Sequence, residues 1–124
     1  MNGEFRHALV TEHAINDCAL STQSKERSYL LPLFFKSEGS ETDELFDKND
    51  VIVNVSARFS TALNDALGGP TPEPRMIFSY IYAILSSPMY RAYYNDFLKR
   101  DFPRIPLPDS PARFQKLVVL GQKL

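Results

Sequence analysis

The stretch that decides the fold runs from residue 76 to residue 108, MIFSYIYAILSSPMYRAYYNDFLKRDFPRIPLP. It reads as two aromatic-rich helices joined at Ser86-Ser87-Pro88, followed by an extended Pro-x-x-Pro-x-Pro tail. Residues 75–86 are apolar on nearly every side, with Met76, Ile77, Phe78, Tyr80, Ile81, Tyr82, Ile84 and Leu85. A helix hydrophobic all round belongs at the centre of a core. Pro88 suits the first turn of the next helix, where its missing N–H removes no bond. That second helix sets Tyr90, Tyr93, Tyr94, Phe97 and Leu98 on one face and turns Arg91, Asn95, Lys99 and Arg100 towards the other. It stops at Asp101-Phe102-Pro103. Residues 103–108 must then run extended, because proline fixes its own φ and pushes the residue before it out of the α region.

Upstream, Phe59, Ala62, Leu63, Ala66 and Leu67 recur at helical spacing, which predicts an amphipathic helix over residues 56–67. Asn54 or Ser56 can cap its start, and Gly68-Gly69 can end it through a left-handed backbone. Pro70 to Pro74, PTPEP, is a stiff connector. Downstream, Ser110 caps and Pro111 opens a last helix with Phe114, Leu117, Val118, Gly121 and Leu124 on one stripe. Short strands are expected at Ala8–Thr11, Cys18–Ser21 and Tyr29–Lys36, the last with an edge or bulge at Pro32. Residues 37–50 form an acidic, solvated loop, and residues 51–55 read either as a short strand or as the approach to the first helix.

Length and composition bound what this chain can do. Its 124 residues make one domain, with 44% hydrophobic and 23% charged residues. No apolar run is long enough to span a membrane, and the start has no signal-peptide pattern. A single cysteine, Cys18, forms no internal disulfide and is compatible with a cytoplasmic setting. Net charge is −1, whereas a self-sufficient duplex binder carries a basic excess, so any nucleic-acid contact is local.

The catalytic motifs are missing. The sequence holds no phosphate-binding P-loop, no Asn/Asp-Pro-Pro-Tyr/Phe segment for a flipped base, no nuclease metal motif and no nucleophile elbow. His7, His13 and Cys18 are too few and too loosely spaced for a zinc site, and Asp47, Asn49 and Asp50 lack the glycine and closing glutamate of a calcium loop. We assign no metal site and no catalytic residue. Tyr80, Tyr82, Tyr90, Tyr93 and Tyr94 beside basic residues admit two readings: a stacking and phosphate-binding surface, or core rings whose hydroxyls reach the rim. Helical spacing favours the core reading for most of them. Arg91, Lys99, Arg100 and Arg104 are the candidates for DNA-backbone contact, although cations at a helix end also complement its dipole.

The run from Phe78 to Pro108 resembles a signature of large bacterial restriction-modification polypeptides. These are the single-chain, type ISP-like enzymes that join a helicase to an adenine-specific DNA methyltransferase. Tyr80-Ile81-Tyr82-Ala83, Ser87-Pro88, Tyr90-Arg91, Phe97-Leu98-Lys99 and Asp101 to Pro106 carry the likeness. Leu31-Pro32-Leu33 with Phe34-Phe35 resembles an upstream strand of the family, and residues 110–124 its following helix. The likeness is legible from about Tyr29 onward.

The resemblance implies a place in the C-terminal target-recognition region, following the methyltransferase core. It also implies that S-adenosylmethionine and ATP serve the parent enzyme only. We therefore expect an α+β fold, with a small, mostly antiparallel N-terminal sheet packed on about four C-terminal helices. Residues 1–124 are expected to be a single domain or an excised piece of a target-recognition domain: strands over 1–36, an acidic loop over 37–50, and a mainly helical part over 51–124. The expected function is a non-catalytic part of the DNA-specificity region of an adenine-specific methyltransferase or restriction enzyme. It would meet double-stranded DNA through the parent enzyme, and also meet the upstream methyltransferase domain. Self-association through the last helix is a further expectation. The rival is a framework or protein-interaction module that docks the recognition domain and touches no base. A free-standing enzyme lacks any catalytic constellation to support it.

Overall fold

The computed structural model describes residues 9–11, 30–36 and 51–124. Among these the order is β1 (Phe34–Lys36), β2 (Val51–Val53), α1 (Ala57–Leu67), α2 (Pro74–Ser86), α3 (Pro88–Tyr93), α4 (Asn95–Leu98) and α5 (Pro111–Lys123). A two-stranded antiparallel sheet ahead of several helices makes a mostly helical α+β fold, as the sequence leads one to expect. The expected strand at Cys18–Ser21, the acidic loop, and His7, His13, Asp47, Asn49 and Asp50 lie outside the described residues.

The strands are shorter than their sequence patterns. β1 and β2 pair with Phe34 opposite Val53, Phe35 opposite Ile52 and Lys36 opposite Val51. Of the expected strand over 29–36, the described residues 30–36 form strand only at Phe34–Lys36, and Pro32 brings no N–H to a ladder. Asn54 extends the pairing by other means. Its backbone N–H donates to the Leu33 carbonyl and its side-chain amide to the Pro32 carbonyl, both at 2.8 Å. Of the two readings of residues 51–55, the strand holds as far as Val53. Leu9–Thr11 belong to no strand, contrary to expectation. Apolar alternation marks a chain that could pair, but a strand exists only where a neighbouring backbone completes the ladder. Phe34, Phe35, Val51, Ile52 and Val53 are all exposed, so the main core lies among the helices.

Three helices build that core. α1 starts where Ser56 Oγ accepts the Phe59 N–H at 3.2 Å and ends at Gly68, whose N–H still donates to the Asn64 carbonyl and whose φ of 63° then turns the chain out of the helix. α2 opens on Pro74 at its first position. α5 is capped by Ser110, whose Oγ accepts the Arg113 N–H at 3.3 Å. Leu63 of α1, Ile77 and Tyr80 of α2, and Phe114 and Val118 of α5 form one buried cluster, flanked by Phe59, Ile81, Ile84, Ile105 and Leu117. α2 is less enclosed than its all-round apolarity suggests. Ile77, Tyr80 and Ala83 are buried, while Met76, Phe78, Ile81, Tyr82, Ile84 and Leu85 are half-buried. α5 is its principal packing partner, and one main partner cannot enclose the whole circumference.

The crossing of α2 and α5 is unusually close at one point. A Cβ placed on Gly121 would overlap the backbone carbonyl of Ser79. The Ser79 hydroxyl turns back to the Arg75 carbonyl at 2.9 Å within its own helix. Along α5, Phe114, Val118 and Gly121 are buried and Leu117 is half-buried, as the stripe predicts, whereas Leu124 is exposed.

The second aromatic helix is broken. Tyr94, at φ −102° and ψ 15°, ends α3, and α4 restarts at Asn95. Tyr93, Tyr94, Asn95 and Asp96 are all modest helix formers, so little local preference opposes the break.

Gly121→Ala should destabilise the chain by about 1–3 kcal/mol or more, since the added methyl meets backbone rather than a movable side chain. Gly69→Ala is the control: nothing lies within 4 Å of its Cβ position, and the change should be neutral or stabilise by up to about 1 kcal/mol. Urea midpoints for the two variants test the crossing, and similar values would show that the helices do not approach this closely.

Candidate nucleic-acid interface

Residues 102–108 link α4 to α5 without regular secondary structure. Pro103, Pro106 and Pro108 remove three N–H donors, so the strap cannot join a ladder, yet its carbonyls still need partners. Two tyrosines supply them. The Tyr80 hydroxyl donates to the Pro106 carbonyl at 2.7 Å, and the Tyr90 hydroxyl to the Arg104 carbonyl at 2.6 Å. Acceptors two residues apart in an extended chain face the same way, so both hooks hold one side of the strap. Ile105, between them, contributes to the core, and Pro108 is buried.

Burial sets the protonation of both hooks. It pushes the Tyr80 phenol above its ordinary pKa of 10.0, opposed by Arg113 and reinforced by Asp109. It raises Tyr90 likewise, with a smaller contribution from Tyr94. Both phenols therefore stay protonated, and remain donors, throughout the neutral range.

The sequence-predicted cations are arranged around these hooks. Arg104 is held at both ends: its carbonyl by Tyr90 of α3, and its guanidinium 5.0 Å from the centre of the Phe97 ring in α4. Lys99 and Arg100 follow the last turn of α4 and are exposed. Lys99 Nζ lies 3.8 Å from Asp96 Oδ1, but that carboxylate is 93% exposed and the pairing is weak. Arg91 is differently engaged. Its Nε donates to the Leu85 carbonyl at 2.7 Å, satisfying a backbone acceptor in the last turn of α2. Lys99 and Arg100 follow α4 and Arg104 lies against its Phe97 ring, so each borders α4 (the α4 edge), while Arg91 braces the α2–α3 corner.

The five tyrosines divide. Tyr80 and Tyr90 are core rings, and Tyr80 lies 5.1 Å from Phe114 between ring centres. Tyr82 is half-buried. Tyr93 and Tyr94 depart from the helical-face expectation: they are 83% and 40% exposed, although Tyr93 belongs to the same helix as Tyr90 and the Tyr94 ring lies 4.9 Å from that of Tyr90, so helical position alone does not bury them. The hooks and the exposed pair escape a sequence reading. Periodicity reports which rings share a face, not which hydroxyl meets a carbonyl fourteen or twenty-six residues away.

Among the described residues, no group of three His, Cys, Asp or Glu side chains could hold a metal ion, and no helix is long and apolar enough to cross a membrane. Gly68 closes a helix C-terminus, where carbonyls face outward, and so offers no phosphate cradle.

Residues 1–124, the whole chain, match the type ISP C-terminal specificity domain. The chain belongs to this family. The match includes the first 28 residues, where the signature was not legible. No curated protein and no solved structure matches the chain. A type ISP specificity domain is the target-recognition part of a restriction-modification enzyme. In this one, the segment with the family signature forms α2, α3, α4 and the hooked strap.

Tyr80→Phe should cost about 1–3 kcal/mol, because the Pro106 carbonyl loses its donor. The pH dependence follows from the raised phenol pKa. Its stabilisation is fully present below pH 10.0 and is lost as pH rises through the higher folded value, since the unfolded chain releases that proton first. Denaturation from neutral to alkaline pH should show a shallower alkaline decline in Tyr80→Phe. An unchanged decline would assign the titration to other groups.

Proposed function

We propose that this specificity domain holds double-stranded DNA by its phosphate backbone through the α4 edge, using Lys99, Arg100 and Arg104. In this reading it is a non-catalytic part of an adenine-specific methyltransferase or restriction enzyme. The observation that supports it most directly is the immobilisation of Arg104. Its carbonyl is bound by a buried tyrosine and its guanidinium lies over Phe97, beside two further exposed cations. A cation held in place loses less conformational freedom on meeting a phosphate. Arg91 would contribute mainly by fixing the corner from which α3 starts.

Methyl transfer with S-adenosylmethionine, and the use of ATP, belong in this reading to other segments of the parent enzyme, including the methyltransferase domain that would precede this one. The residues described here hold the DNA rather than move a group. A net charge of −1 means that the chain alone binds duplex weakly and depends on its parent for most of the attraction.

A second reading, a framework module that docks neighbouring parts of the enzyme, draws support from the outer face of α5, where Val119 and Leu120 are 40% and 54% exposed. It places no weight on the α4 cations. Self-association through the same helix belongs with it, and light scattering on a Leu124→Lys variant would detect it.

The two readings separate in a salt titration. Lys99→Gln with Arg100→Gln should weaken binding to duplexes of unrelated sequence by similar factors and lower the salt slope by about one for each phosphate contact removed. Fluorescence anisotropy with labelled duplexes measures both quantities. Duplex binding indifferent to this pair would favour the framework reading.

A further inference from the structure

We infer that Tyr93, the last residue of α3 and a few residues ahead of the α4-edge cations in the chain, is a stacking platform for an unpaired base. This rests on the reading that the edge meets nucleic acid, and it adds a ligand form, a single-stranded or extruded nucleotide, which duplex backbone contact does not require. The observation is a ladder of three rings. Tyr90, 8% exposed and tied through its hydroxyl to Arg104, lies 4.9 Å from Tyr94, and Tyr94 lies 4.9 Å from Tyr93, almost perpendicular at 75°. Exposure climbs along the ladder to 83% at Tyr93. Met89, one helical turn earlier and equally exposed, widens the apolar surface beside that ring.

Exposed aromatic surface on a monomer is costly unless something covers it, and local charge indicates what. Residues 88–108 hold four cations and two carboxylates, against a net −1 for the whole chain. An aromatic face beside phosphate-binding cations is the combination that holds single strands, since every base has a π-face to stack and a phosphate to pair. Insertion between the pairs of an intact duplex is less suited to this residue. Wedges of that kind are apolar, and a phenol would have its hydroxyl stripped of water between stacked pairs. On a splayed base the ring stacks while the hydroxyl stays wet.

The sequence contains no tryptophan, so Tyr93→Trp in the full chain introduces a single tryptophan, excitable apart from the tyrosines, at the tip of the ladder. Its emission should be quenched on titration with single-stranded oligothymidylate and should change little with a blunt duplex. Tyr93→Ala should lower oligothymidylate affinity on the order of tenfold, and Tyr93→Phe should restore it, because stacking needs the ring and not the hydroxyl. Absent quenching together with unchanged affinity in Tyr93→Ala would overturn the inference. Equal losses on single strand and duplex would overturn it in favour of a groove contact. Failure of the duplex reading registers separately, as indifference of duplex binding to the Lys99 and Arg100 substitutions. Intact duplex binding with no single-strand binding sinks only the stacking platform.

Discussion

The close approach of α2 and α5 at Gly121 is the constraint on which the rest of the helical structure depends. Only a residue without a side chain lets the α5 backbone lie against the Ser79 carbonyl. Next to Ser79, Tyr80 must pack its ring against Phe114 and still extend its hydroxyl to Pro106. These demands are compatible at one helix separation. A methyl at the crossing would lever the helices apart and draw Tyr80 off one contact or the other, so a backbone fit at the middle of α2 governs a hydrogen bond to a strap elsewhere in the chain. Packed interiors transmit such displacements because they contain little free volume to absorb them.

The strap converts that packing into a placed charge. Proline-rich segments are stiff and short of donors, and such a segment can lie firmly on a helical core only if the core supplies the donors. Tyr80 and Tyr90 do so, each buried as a ring and polar at its tip. Arg104, exposed at its side chain, has its backbone carbonyl fixed by the Tyr90 hydroxyl and its guanidinium set 5.0 Å from the centre of the Phe97 ring. In the proposed reading, placing such a cation locally would matter more than net charge, since long-range attraction is weak at net charge −1. The β1–β2 ribbon has exposed side chains and a ladder prolonged by Asn54, so pairing accounts for its local order better than burial does.

Local signals determined a good deal. Ser56 and Ser110 cap, Pro88 and Pro111 open helices, and Gly68 closes one, because each residue acts on its own turn through donors, acceptors or φ. The core stripe of α5 and the mostly helical α+β class were legible for the same reason: apolar spacing of 3.6 has one geometrical meaning. The block from Phe78 to Pro108 was specific enough to indicate the family, and Lys99, Arg100 and Arg104 were visible as basic residues bracketing a helix end.

What the tertiary structure alone decided is where distant groups meet. Periodicity placed Tyr93 with Tyr90 on one face, and both lie in α3, yet Tyr90 is 8% and Tyr93 83% exposed, since burial depends on which neighbouring elements pack against a ring and not on its spacing. The apolar circumference of α2 promised full burial, yet the described packing covers one stripe well and the rest only in part. The reach of Tyr80 and Tyr90 to the strap, the confinement of Arg104 and the commitment of Arg91 Nε to Leu85 span six to twenty-six residues of chain. A sequence records residue types and their spacing along the backbone. Which hydroxyl finds which carbonyl depends on a helix separation set by a single glycine, and that quantity exists only once the helices have packed.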